Sequence, residues 1–346
     1  MAKFFLFLLS LNLLAQSSKP IPVKVVIVAM FERGEDTGDQ PGEFQFWVER
    51  EHLDHIFDLP GAYHSARMNE KGVLGTVTGV GTAKAAASVM ALGMDRRFDF
   101  SKAYWLIAGI GGGDPEDVSL GSAVWAEHVI DGDLGYEIDA REIPKEWPTG
   151  YVPLRKTVPY EQPVRPELEG ETYTLNKGLV DWAFALTQPV HLEDSEKMRT
   201  SRARFQGFPN AQKPPFVIKG DALSASTFWH GELMDKWANE WVKYYTRGMG
   251  NYVVCGMEDS GTLQALTFLG KAGFADPQRV LVLRTVSNFD RQAPGSTASE
   301  SLKTMTFGAY SAYMPALEAA YQTGSVVVHY LTDHWDDVRD TPPHAH

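Results

Sequence analysis

The amino-acid sequence predicts a three-layer α/β fold. Short apolar runs rich in β-branched residues recur along the chain, glycine-rich turns follow several of them, and helix-type segments alternate with them. A nearly continuous apolar strand of this kind belongs inside a parallel sheet, where both faces are covered.

In chain order, Val23 to Met30 is the first such run, and it ends in the polar turn Phe31-Glu32-Arg33-Gly34-Glu35-Asp36. Gly72 to Val77 is a second strand and opens into Thr78-Gly79-Val80-Gly81-Thr82. The small residues of Ala83 to Leu92 then suit a helix packed close on a sheet. Ala103 to Ala108 is a third strand, leading to the loop Gly109-Ile110-Gly111-Gly112-Gly113-Asp114, and Ser122 to Val129 is a fourth. From about 131 to 215 the character changes, with prolines at 144, 148, 153, 159, 163 and 166 among charges and aromatics. One helical stretch is expected there, near Leu175 to Thr187. This segment is read as an insertion covering one edge of the sheet, and as a candidate lid for a pocket. Phe216 to Lys219, Tyr252 to Cys255 and Arg279 to Leu283 resume the strand pattern, with helices at Asp259 to Ala272 and Thr304 to Thr323. A single domain over 20–335, followed by a tail at 336–346, accounts for the pattern.

Composition narrows the function. The chain has 346 residues, is 44% hydrophobic and carries a net charge of −12, which suits a globular protein able to fold without metals or staples. The acidic balance without a Lys/Arg cluster argues against a nucleic-acid partner or an anionic membrane surface. Cys255 is the single cysteine, so no internal disulfide is available. His329, His334, His344 and His346 are irregularly spaced, and no metal site and no cofactor are expected.

At the N-terminus, Lys3 precedes an apolar run from Phe4 to Leu14, and Ala15 closes it. A run of this length is too short to span a bilayer and reads as a secretory signal peptide over 1–15. The alternative, a buried first strand, is already supplied by Ile21 to Val28. A secreted protein is therefore expected, with the periplasm as its compartment. No other segment reaches membrane-spanning length, so no membrane insertion is expected.

Two motifs carry chemistry. Val253-Val254-Cys255-Gly256-Met257-Glu258-Asp259-Ser260-Gly261 runs from an apolar strand directly into a helix, with a carboxylate at the turn. About thirty residues later, Leu283-Arg284-Thr285-Val286-Ser287-Asn288 ends a second buried-type strand in polar side chains. In an α/β protein ligands bind where parallel strands end. A carboxylate there can accept two ribose hydroxyls, and an amide can address the edge of a purine. These residues resemble the nucleoside phosphorylase and nucleosidase superfamily, and within it the purine nucleoside permease family, over nearly all of 20–335. The resemblance implies a nucleoside phosphorylase-like fold with a mixed central sheet flanked by helices.

The resemblance also implies roles. Met257 and Glu258 would lie against the ribose, with Glu258 taking the 2′- and 3′-hydroxyls; alone, Glu258 also suits a helix N-terminal acid. Ser287 and Asn288 match the position that contacts purine N7, where a donated hydrogen bond stabilises the departing base. An Asn capping the following turn is the plainer reading. Asn donates a hydrogen bond but cannot deliver a full proton, which implies 6-oxopurine preference or weaker catalysis, and Asp290 is an alternative acid. Arg284 would orient the sugar-binding carboxylate or the nucleophile, or form a structural ion pair with it. Gly79, Gly81, Gly109, Gly111 and Gly112 would let main-chain N–H groups approach the ligand. Glu32 lies one residue from the position of a water-activating carboxylate in the nucleosidases. The stretch from Gly220 and Asp221 to Gly231 matches a Gly-Asp loop that precedes the base-stacking aromatics, here Phe228 or Trp229.

The departures concern phosphate. Leu106-Ile107-Ala108 offers no arginine before the glycine loop, and Ile110 stands where relatives have a Ser. Arg33 among Glu32, Glu35, Asp36 and Asp114 would make a poor anion site by simple repulsion. Hydrolysis of the N-glycosidic bond of purine nucleosides is therefore expected ahead of two alternatives, a non-enzymatic nucleoside-binding protein tied to uptake and a phosphorylase. The expected partner is a purine nucleoside, and a homo-oligomer and a transporter partner stay open.

Overall fold

The computed structural model describes residues 19–164, 170–305 and 310–345. The segment read as a signal peptide, 1–15, lies outside the described residues. Among those residues the core is one ten-stranded mixed sheet. Its strands are β1 (Val25–Ala29), β2 (His55–Phe57), β3 (Ala66–Met68), β4 (Val73–Val77), β5 (Tyr104–Gly113), β6 (Ala123–Asp131), β7 (Thr172–Thr174), β8 (Val217–Ser224), β9 (Tyr252–Gly256) and β10 (Val280–Phe289). The spatial order is β7-β6-β8-β9-β5-β1-β4-β3-β2, and β10 pairs with both β5 and β6.

The described helices of six or more residues are α1 (Gln45–Arg50), α2 (Thr82–Gly93), α3 (Lys177–Thr187), α4 (Glu196–Arg202), α5 (Glu232–Tyr245), α6 (Asp259–Lys271), α7 (Ala298–Lys303) and α8 (Tyr313–Asp333). α8 packs along β10 and β5, α3 against α8 and β6, α5 against β8 and β9, and α2 pairs with α6. This is the expected three-layer α/β arrangement. Its parallel core, β4-β1-β5-β10, is built from the uniformly apolar runs, whose side chains are buried on both faces. Trp105 on β5 and Trp125 on β6 are fully enclosed, and Trp125 Nε1 donates to Thr187 Oγ1 of α3 at 2.8 Å.

The feature that builds the site is ring closure. β5 pairs with β10, β10 with β6, β6 with β8, β8 with β9, and β9 returns antiparallel to β5 through Val254–Gly113 and Cys255–Gly112. Glycines permit the last step. A Cβ on Gly111 would collide with the Cys255 carbonyl oxygen, and one on Gly113 would sit 2.7 Å from Val118 Cγ2. Gly109 to Gly113 therefore form the end of a strand, whereas the sequence pattern predicted a loop. The glycines serve close strand crossing in place of a turn.

Two further boundaries differ from expectation. β10 runs on to Phe289, so Ser287 and Asn288 are strand residues, carried past a bulge between Val286 and Asn288. α8 spans 313–333, later than the helix predicted over 304–323. Pro315 fits only the first turn of a helix, where its missing N–H has no intrahelical role. Helix α5 and the edge strands β2 and β3 were not anticipated. In the 131–215 segment, 135–137 pairs with 151–153, and β7 adds to the β6 edge.

Candidate functional site

A cavity of about 240 Å³ opens where β5, β9 and β10 end, walled by Met30, Glu43, Gly112, Phe228, Trp229, Met257, Glu258, Arg284, Ser287 and Asn288, among others. None of the described residues of the 131–215 segment, read as a candidate lid, lines this cavity.

Glu258 follows β9 at the N-terminal end of α6, but its side chain does not cap that helix. Oε1 accepts from the Gly81 backbone N–H at 3.1 Å, and Oε2 accepts from Arg284 Nη2 at 3.0 Å and from the Met257 N–H at 3.2 Å. The Gly81 N–H is aimed this way because residues 79 and 81 adopt positive φ, +79° and +99°, which glycine tolerates. Gly79 and Gly81 thus position the carboxylate. Burial raises the Glu258 pKa, Arg284 opposes the rise, and repulsion from Asp259 adds to it.

Arg284 is 2% exposed and fully engaged. Nη1 donates to the Ile110 carbonyl at 2.9 Å, Nη2 donates to Glu258 and to Asp259 Oδ1, and Nε reaches both oxygens of Asp259 at 3.1 Å. Its role is to hold two carboxylates. The charge-assisted bonds offset part of the cost of burying all three ions.

The second cavity carboxylate close to Arg284 is Glu43. Oε2 accepts from the Met30 N–H at 2.8 Å and Oε1 from the Ile110 N–H at 2.7 Å. Burial pushes its pKa up to about 8, against the pull of Arg284 and with repulsion from Glu258. Gly109 leaves the room it needs, since a Cβ there would strike Glu43 and Met30. Sequence reasoning assigned this place to Glu32. The structure puts Glu32 elsewhere: its oxygens accept from the N–H groups of Arg33, Gly42, Phe44 and Gln45, which anchors the 33–42 loop and the start of α1. The loop folds back so that Glu43 faces the cavity. The available signal was weak: a carboxylate directly before the apolar helix of Phe44, Trp47 and Val48.

At the end of β10, the single Ser287 hydroxyl hydrogen has two acceptors in reach, Asn288 Oδ1 at 2.8 Å and the Gly111 carbonyl at 3.1 Å, and the shorter contact is to Asn288. Asn288, which lines the cavity, donates from Nδ2 to the Phe289 carbonyl at 3.1 Å, and its second amide hydrogen has no acceptor among the described residues. The amide is therefore presented as a donor. Trp229 is buried and packs edge-on to Trp237, with Phe228 at the mouth, 44% exposed. Asp290 also lines the cavity. Asp221 does not. It lies within β8, where Oδ1 accepts from the His128 N–H and pairs with His128 Nδ1, and Oδ2 accepts from the Asn251 N–H. That is a cross-strand tie, remote from the base. Met30, Cys255 and Tyr310 complete the walls and were not anticipated.

Comparisons with known proteins agree with this geometry. Residues 22–341 match the family model described as purine nucleoside permease. The chain belongs to the purine nucleoside permease family. A purine nucleoside permease of Candida albicans is 27% identical over 336 residues, covering 94% of this chain and 79% of the relative. A probable purine nucleoside permease of Schizosaccharomyces pombe is 32% identical over 266 residues, 75% of each chain. Among solved structures, a 5′-methylthioadenosine/S-adenosylhomocysteine nucleosidase of Neisseria meningitidis superposes with a TM-score of 0.51 at 17% identity, covering 90% of this chain and 99% of that one. Futalosine hydrolase of Helicobacter pylori gives 0.52 at 13% identity, covering 89% and 98%. These likenesses show the fold. No described helix of this permease-family chain is long and apolar enough to cross a membrane.

Proposed function

We propose that this protein binds purine nucleosides and hydrolyses their N-glycosidic bond. The observation that carries the reading is the row Glu43–Arg284–Glu258 along one wall of the cavity. Glu258 is fixed by Gly81 and Arg284, and its Oε1, with a single protein donor, keeps a lone pair for a ribose hydroxyl. Glu43, with its raised pKa, is poised near neutrality to take a proton from water attacking C1′. Asn288 donates to N7 as electron density flows into the base. Trp229 and Phe228 give the base a stacking surface.

Water is favoured over phosphate as nucleophile by charge. Arg284 is the one cation among the described lining residues, and it is already committed to Glu258 and Asp259. A phosphate dianion would find no uncommitted cation among the described lining residues, and the ionised carboxylates among Glu43, Glu258 and Asp290 would repel it. The Phe4 to Leu14 run further supports secretion, with action in the periplasm.

The test is incubation of purified protein with inosine and adenosine, with and without phosphate. Free ribose in both conditions is the expected result. Ribose 1-phosphate would replace the reading with phosphorolysis, and nucleoside bound but uncleaved would make the chain a binding protein for uptake, as the names of its relatives imply.

A further inference from the structure

Glu43 reaches the cavity because residues 33–42 turn back on themselves. The ends of that turn are closed by Glu32 and by the Glu43 N–H, which donates to the Phe31 carbonyl at 3.0 Å. From 34 to 40 the loop is exposed with one exception, Asp36, which is 8% exposed. Single hydrogen bonds tie Gly38 to Glu49 and Pro41 to Tyr313, but Asp36 is the loop's buried ion. A carboxylate leaves water only where partners replace it.

The partners are Arg67 on β3 and His64 just before that strand. Arg67 Nε donates to Asp36 Oδ2, and His64 Nε2 lies 3.1 Å from Oδ1. The other ring nitrogen, His64 Nδ1, lies 2.8 Å from the Ser65 carbonyl oxygen. Acceptors at both ring nitrogens are satisfied together only by the imidazolium, since neutral histidine has a single N–H. The same ring meets Phe44 edge-on, with centroids 6.1 Å apart. Phe44 directly follows Glu43 and is fully buried in the space left by Gly75, where a Cβ would stand 2.6 Å from its ring. His64 thus touches the loop at Asp36 and its anchor at Phe44. None of Asp36, His64 and Arg67 lines the cavity itself.

The charges agree with a closed clasp. Burial alone would raise the Asp36 pKa, but the bonds from His64 and Arg67 outweigh it and hold the carboxyl below its ordinary value. The bond to Asp36 raises the His64 pKa, against burial and the repulsion of Arg67. Further out, Asp58 accepts from the Ser65 hydroxyl at 3.3 Å, and Lys84 of α2 lies 5.6 Å from the Tyr63 ring centroid.

We infer that His64 and Arg67 are positioning residues that clasp the 33–42 loop through Asp36 and so set Glu43 in the cavity, and that loss of the His64 proton loosens the clasp. The inference rests on the hydrolytic reading for the part Glu43 plays, and adds the regulation of that site. Below the ordinary histidine value of 6.5 the clasp is fully held, and its contribution is lost as pH rises through the raised folded value. A neutral ring then keeps either Asp36 or Ser65. The clasp weakens on the alkaline side, where Glu43 ionises toward about 8, and blunts the rise of hydrolysis there.

The test joins hydrogen exchange of the 33–42 amides to steady-state kinetics on inosine, with Kd measured separately. Asp36→Asn should strip exchange protection from the loop and lower kcat about ten- to hundredfold, with Kd changed only a few-fold. In a Glu43→Gln background the same substitution should change kcat by less than about twofold, because the effect runs through Glu43. In that background Glu43 no longer titrates. Loop protection, corrected for intrinsic exchange, should there fall about tenfold from about pH 6 to 9, the loss of one charge-assisted bond. Adding His64→Gln should remove that dependence. Protection that survives Asp36→Asn overturns the inference, as does a kcat loss that persists in full in the Glu43→Gln background or a pH dependence that His64→Gln leaves intact. If the parent cleaves neither inosine nor adenosine, the hydrolytic reading fails by itself: lost loop protection still supports the clasp, and retained protection still overturns it.

Discussion

Arg284 Nη2 and Glu258 Oε2 meet at 3.0 Å in a space where neither residue is more than 3% exposed. Arg284 comes from β10 and Glu258 from the turn between β9 and α6, and their meeting fixes the carboxylate that the proposed ribose contact requires. Removing one partner of such a buried pair leaves the other charge uncompensated, so these side chains act as a unit.

Glu258→Gln is expected to weaken nucleoside binding about tenfold or more, since a charged hydrogen bond to a ribose hydroxyl contributes about 1.5–3 kcal/mol. Free purine bases should bind almost as before, because they do not reach the sugar contact. Titration of both ligand types checks this. Equal loss of both would make Glu258 a structural partner of Arg284 only.

Glu43→Gln should lower the cleavage rate by about two to four orders of magnitude, the usual contribution of a general base, with nucleoside binding largely kept. In the parent the rate should climb with pH toward about 8, where Glu43 ionises. The sign for stability is opposite. The folded pKa is raised from 4.5 to about 8, so the unfolded chain releases this proton first and stability is lost progressively between those values. Glu43→Gln removes the ionisation but sets its amide NH2 against the Met30 or Ile110 N–H, so its melting temperature should lie below the parent's near pH 5 and the deficit should shrink as the pH rises to 8. Glu32→Gln should lower the melting temperature, because Glu32 anchors a loop.

Most of the sheet was legible because buried parallel strands read as plain apolar runs: Val25 to Ala29 and Val280 to Leu283 needed no context. The glycine and polar ends of β5 and β10 were not, since Gly111 is there to admit the Cys255 carbonyl of another strand, a non-local requirement. Helix α5 hid its stripe of Trp237, Ala238, Trp241 and Val242 among charges. In the site, the Met257-Glu258 and Ser287-Asn288 pairs stood out as polar residues closing apolar strands. Glu43 did not, because it reaches the cavity only after ten loop residues fold back. Asp221 misled for a related reason: its partner, His128, is a strand away.

We propose that the first fifteen or so residues direct export. Mass spectrometry of the native protein should then find a mature start near Gln16, recovered from the periplasmic fraction. An intact Met1 in the cytoplasm would remove both the signal peptide and the compartment.

The last prediction concerns Asn288. Its Oδ1 is taken by the Ser287 hydroxyl and one Nδ2 hydrogen by the Phe289 carbonyl, which leaves a single N–H for the base. A bond to N7 strengthens as negative charge develops on the leaving purine, so it is worth more in the transition state than in the bound substrate. Asn288→Ala should therefore lower kcat by about a hundredfold or more while changing nucleoside Kd only a few-fold, the range seen when one oriented donor to a developing charge is lost. Asn288→Asp should shift preference toward adenosine, because a protonatable acid can hand N7 a full proton where a neutral amide cannot. The new carboxyl would face the Phe289 carbonyl and lie close to Asp290, and both favour its protonated form. Steady-state kinetics on inosine and adenosine, with binding measured separately, check both variants. If each binds and turns over like the parent, Asn288 is a strand residue without a part in cleavage, and donation to N7 must come from elsewhere on the cavity wall.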